Sequence, residues 1–65
     1  MSKTLNLDPN IKDADGFHEV LINTHQGLSD EESEQLNARL ILILANHIGD
    51  REILDQALKV ARESA

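Results

Sequence analysis

The chain has 65 residues, a net charge of −6, no cysteine and one aromatic residue, Phe17. These figures allow one small domain and leave neither a disulfide nor a zinc thiolate. They argue against nucleic acid, which calls for Lys and Arg on phosphates and aromatic platforms under bases, and against an anionic membrane surface.

Residues 1–12 read as an irregular N-terminal arm, ahead of a single helical domain over 13–65. Leu5 and Leu7 alternate with polar residues, a weak strand signal. Asp8-Pro9-Asn10 is turn chemistry, because proline fixes φ and the Asp and Asn side chains bond nearby backbone. Leu5, Leu7 and Ile11 are expected to lie over the helices as a partly ordered arm.

A first helix is expected over about 13–26, with Asp13 or Asp15 as its N-cap. At about 100° per residue, Phe17, Val20, Leu21, Thr24 and Leu28 share one stripe. Gly27 supplies a left-handed stop. A second helix over about 30–48 has the clearest start in the chain. Ser29-Asp30-Glu31-Glu32 fits a capping box, with three acids at the positive end of the helix dipole. Its stripe of Leu36, Leu40, Ile43, Leu44, His47 and Ile48 has helical period and ends at Gly49. Leu40 to Leu44 taken alone could be a buried strand, but the capping box, the terminal glycine and the flanking period decide for helix. A third helix over about 51–63 takes Asp50 as N-cap and buries Ile53, Leu54, Ala57, Leu58 and Ala61. Arg51, Asp55, Lys59 and Glu63 follow at i,i+4 with alternating sign, the pattern of a solvated face. The connections Gly27-Leu28 and Gly49-Asp50 are short, so sequential helices pack as neighbours. The fold class is all-α, a compact three-helix arrangement with the second helix in the middle. Leu36, Leu40, Ile43, Leu44 and Ile48 are assigned to its core.

Few constellations carry chemistry. Asp13-x-Asp15-Gly16 suggests part of a calcium loop, but Gly16 at the sixth position puts Ile11 first and Ile22 twelfth, and neither ligates. His18 and His25 lie seven residues apart, about 10.5 Å along a helix axis, too far to share a metal. His25 and His47 could meet only through tertiary packing. With Asn37 and Asn46 they form a candidate polar cluster, the basis of an alternative reading as a small ligand- or metal-binding module. His47 lies on the core-facing stripe, where it would need a hydrogen-bond partner. Ser29 is used as a cap, and Ser33 is read as two turns from any base. No glycine-rich phosphate cradle follows a strand. An acyl carrier opens its second helix with Asp-Ser-Leu, whereas here the order is Leu28-Ser29-Asp30. No catalytic residue, metal site or cofactor is expected.

Leu42 is the anomaly. It lies roughly 160–200° from the centre of the second helix's stripe. Ala38 and Ala45 flank it, with Ile41 at the edge. Either it is a single exposed leucine of the common kind, or the arm Leu5-Leu7-Ile11 covers it, or Ala38, Ile41, Leu42 and Ala45 form an interface with a protein partner or a second copy. The longest apolar run, Leu40 to Ala45, is far below the roughly 20 residues that span a bilayer. The opening Met1 to Asn6 lacks the apolar segment of a signal peptide, so a cytoplasmic location is expected.

Gly16-Phe17-His18-Glu19, then Leu28-Ser29, then the run from Leu36 through Ala45-Asn46-His47-Ile48-Gly49-Asp50 resemble a family of very short bacterial proteins classed as a domain of unknown function. That family has a Gly-Phe-Tyr-Glu motif and an Ala-Asn-His-Ile-Gly-Asp segment. The resemblance extends from about Asn6 to Ala61. His18 departs from it by replacing the usual tyrosine, which weakens any role requiring a phenol there. Members are often encoded near flavin-dependent aromatic hydroxylases or other catabolic enzymes. The resemblance therefore implies an accessory role, and it carries no catalytic residue with it. The expected function is a non-enzymatic interaction protein.

Overall fold

The computed structural model describes residues 3–64. Among them the chain forms three α-helices and no strand: α1 (Ala14–His25), α2 (Asp30–Ile48) and α3 (Arg51–Ser64), after an irregular N-terminal stretch. This is the expected three-helix arrangement. Met1 and Ser2 of the expected arm, and Ala65 at the far end, lie outside the described residues.

The helix limits follow from local chemistry. Asp13 accepts the Gly16 N–H at 3.1 Å and starts α1 as its N-cap. Ser29 and Glu32 close a reciprocal capping box: the Glu32 N–H donates to Ser29 Oγ at 3.2 Å, and the Ser29 N–H donates to Glu32 Oε1 at 3.0 Å. Each satisfies a donor that the first helical turn leaves without an intrahelical partner. Asp50 accepts the Ile53 N–H at 3.0 Å and starts α3. The chain leaves α1 through Gly27 and α2 through Gly49, both at positive φ. Gly49, at φ 67°, donates its N–H to the Ala45 carbonyl at 2.8 Å.

The expected core is not enclosed. None of the described residues is buried, and α2 with α3 forms the principal helix–helix contact. Of the five α2 residues assigned to a core, Leu36 and Leu40 are half-buried, whereas Ile43, Leu44 and Ile48 are exposed. On α1 the stripe shelters only Leu21; Phe17, Val20, Thr24 and Leu28 stand in solvent. On α3, Ile53, Leu54 and Ala57 are half-buried against their neighbours, but Leu58 and Ala61 are exposed. Periodicity identifies the face of a helix that favours shelter. It does not say whether another element supplies that shelter, and here a 12-residue α1 covers little of a 19-residue α2.

The N-terminal stretch docks on α3, not on α2. Gln56 reads the arm's backbone in two places: its Nε2 donates to the Lys3 carbonyl at 2.9 Å, and its Oε1 accepts the Leu5 N–H at 3.0 Å. Lys3 Nζ reaches Asp50 Oδ2 at 3.0 Å. Leu5 is half-buried by this docking, but Leu7 and Ile11 remain 73% and 62% exposed. The expectation that all three leucine and isoleucine side chains lie over the helices is corrected to Leu5 alone. Gln56 ties down the chain only through residue 5, and the chain then bends at Asp8, whose N–H donates to Asn6 Oδ1 at 2.9 Å.

Candidate functional site

An apolar cleft of about 550 Å³ lies between the C-terminal half of α2 and α3. The chain turns at Gly49, at φ 67°, and residues from the last two turns of α2 and from α3 line the cleft together. Ile41, Leu44, Ala45 and Ile48 form one wall. Leu54, Ala57, Leu58 and Ala61 form the other. Leu54 and Ala57 sit at the bottom, half-buried, while Leu58 and Ile41 stand at the mouth, 65% and 60% exposed. A second, shallower recess of about 370 Å³ lies elsewhere on α2, where Glu32, Gln35 and Arg39 mix with Leu28, Leu36, Leu40 and Ile43.

Charge sits on the cleft's rim. Arg51 Nε donates to Asp55 Oδ1 at 2.8 Å, an i,i+4 pair that holds the guanidinium above its ordinary value. This is the one link of the alternating Arg51, Asp55, Lys59, Glu63 series that closes as an ion pair among the described residues. At the start of α3, Asp50 is held below the usual carboxylate range, first by the Ile53 N–H and then by Lys3. Glu32, in the capping box, is lowered in the same way by the Ser29 N–H and hydroxyl.

Both shifts have the same sign, and this sets a pH dependence. A carboxyl with a lower pKa folded than unfolded stabilises the folded chain at and above its ordinary range. That contribution disappears as pH falls through the lowered folded value. The melting temperature should therefore stay nearly level from about pH 7 to 5 and drop below about pH 4. Asp50→Asn, which keeps an acceptor for the Ile53 N–H but cannot ionise, should show a smaller acid drop. Circular dichroism melts across this range check it. A stability loss confined to alkaline pH would contradict it.

The residues singled out from the sequence do not form one site. Ile41 and Ala45 line the cleft, but Ala38 and Leu42 do not. Leu42 is 70% exposed, uncovered by the described part of the arm. The polar cluster is dispersed: His25 ends α1, while Asn37, Asn46 and His47 are spread along α2. His25 Nδ1 shares a hydrogen bond of 3.0 Å with Ser33 Oγ, near the start of α2. His47 lies 14 residues beyond Ser33, about 21 Å along the helix axis, so the two histidines cannot hold one ligand between them. His47, Asn37 and Asn46 are exposed, and His47 needs no partner because water is available to it. Among the described residues no group of three or more His, Cys, Asp or Glu side chains is placed to hold a metal. None of their helices is long and apolar enough to cross a membrane.

The His25–Ser33 bond corrects the reading of Ser33 as remote from any base. Spacing along a single helix cannot see it, because it crosses the Gln26–Ser29 connection. A hydroxyl beside an imidazole is one part of a nucleophilic site. The rest would be an acid orienting the ring and donors for an oxyanion. No ion pair among the described residues involves His25. What the bond does do is join the last turn of α1 to the first turns of α2.

The cleft's walls are mostly residues that sequence reasoning placed inside a core, Leu44, Ile48, Leu54 and Leu58 among them. The available signal was α2 itself, apolar over nearly its whole circumference and flanked by two helices too few to cover it. No curated protein and no solved structure matches the chain. The family described as "Protein of unknown function (DUF2783)" matches residues 5–63, nearly the whole length, and the chain belongs to that family.

Proposed function

We propose that this chain is a non-enzymatic interaction protein, accessory to a catabolic enzyme system, that acts by docking the α2–α3 cleft against a protein partner or a second copy of itself. The observation that carries this reading is the open cleft, in which Leu58, Ile41, Leu44 and Ile48 all remain exposed. Contiguous apolar surface of this kind on a small chain marks an interaction site. The net charge of −6 turns the chain away from nucleic acid and anionic lipid and leaves protein as the fitting class of partner. The accessory role and the link to catabolic enzymes rest on the family resemblance. The alternative reading, a small ligand- or metal-binding module using His25 and His47, draws less support from the geometry than the open cleft gives to docking.

A photo-crosslinking amino acid at position 58, in the cleft mouth, tests the reading in the native host. It should yield covalent protein adducts, whether with itself or with another protein. The same group at position 19, on the exposed face of α1, should not. Equal labelling at both positions, or none at position 58, would overturn the proposal.

A further inference from the structure

We infer that the occupant of the cleft is a second copy of this chain, with α3 packed antiparallel to its mate about a two-fold axis near Ala57. The inference rests on the interaction reading above and names its partner.

The first argument is area. The chain exposes 6044 Å², whereas a closed globule of 7.2 kDa exposes about 4,100 Å². Its radius of gyration is 13.7 Å against about 11 Å for a domain of this length. The excess, about 1,900 Å² per chain, is shared between the exposed N-terminal stretch and the open helix faces, and it leaves room for the roughly 800 Å² per partner that a standard interface buries. Every copy carries the same excess, so a two-fold pairing relieves both at once.

The second argument is charge. α3 carries six charged residues: Arg51, Glu52, Asp55, Lys59, Arg62 and Glu63. Reversing the helix end for end about Ala57 places Arg51 opposite Glu63, Glu52 opposite Arg62, and Asp55 opposite Lys59. In register each of the six is set against a residue of opposite sign, and Asp55 with Lys59 is the pairing that flanks the apolar stripe, Glu52 and Glu63 lying on the far face of the helix. Asp55 and Lys59 stand on the same flank of the apolar stripe through Leu54, Leu58 and Ala61 at about 100° per residue. Antiparallel packing brings like flanks together, so the Asp55–Lys59 contact is made twice across the axis. A parallel pairing in register would set like charges opposite one another. An unrelated partner would have no reason to match a pattern that is complementary to its own reverse.

The experiment is sedimentation equilibrium on the full chain, with helicity followed by circular dichroism. The native chain should show twice the 7.2 kDa mass, and Leu58→Asp should shift it to monomer. Asp55→Lys and Lys59→Asp should each weaken self-association by about tenfold or more through like charges across the axis. An equimolar mixture of those two variants should recover native-strength association, because each hybrid dimer restores two opposite-sign contacts. If Leu58→Asp fails to fold, the mixing experiment decides. A chain that stays monomeric, a dimer dissociated by Leu42→Glu but not by Leu58→Asp, or a mixture no tighter than its components would overturn the inference. In those cases adducts from position 58 with a different protein would leave the interaction reading standing, and their absence would remove both.

Discussion

Leu54→Ala should lower the free energy of unfolding by about 1–2.5 kcal/mol and reduce helicity at the C-terminal end of the chain. Leu54 sits half-buried at the bottom of the cleft, where α3 meets α2. Removing a fully buried leucine side chain costs about 2–5 kcal/mol, and a half-sheltered one loses roughly half of that. With no buried residue elsewhere among those described, no other contact compensates when α3 loosens. Leu42→Ala is the internal comparison. That side chain is 70% exposed, and its truncation should change stability by no more than about 0.5 kcal/mol. Urea titrations at a single low protein concentration measure both. Equal losses would mean that the α2–α3 contact is not what holds α3 in place.

Gly49→Val should cost about 1–2 kcal/mol. Gly49 holds φ at 67°, a left-handed conformation in which a Cβ crowds the following carbonyl, and a β-branched side chain suffers most. The added Cβ would meet little else, since its nearest neighbour is the Asn46 carbonyl oxygen at 3.6 Å. The penalty is therefore conformational, not a clash, and Gly49→Asn should recover a large part of it, because asparagine visits this region readily. The position matters beyond its own energy. The turn at Gly49 sets α3 beside α2, so straining it should also disturb the cleft. Thermal melts of the three proteins, with crosslinking from position 58 as a second readout, test this. A valine variant as stable as the native chain would show that the turn tolerates another path.

The start and stop of each helix were legible because they depend on residues close together in the chain. Asp13, Ser29 with Glu32, and Asp50 are caps whose partners lie three residues away. The α2 range 30–48 is the same in sequence and structure, while α1 begins and ends one residue inside its expected limits and α3 runs one residue further. Contacts made across connections were not legible. The His25–Ser33 bond, the grip of Gln56 on Lys3 and Leu5, and the Lys3–Asp50 pair each join residues that no periodicity relates.

The candidate site shows the same division. Ile41 and Ala45 were marked as interface from the sequence because α2 is apolar on more sides than two neighbours can cover. Leu44, Ile48, Leu54 and Leu58 were assigned inward because a stripe at helical spacing is ordinarily covered. Sequence alone determined three capped helices, an acidic chain with no cysteine, and an apolar central helix, since propensity, capping and charge are properties of short stretches. Only the tertiary structure decided that the helices leave their apolar faces open, that the arm follows α3, and that the histidines stand apart. Those outcomes depend on how far one element reaches over another, a distance in space that the order of residues does not carry.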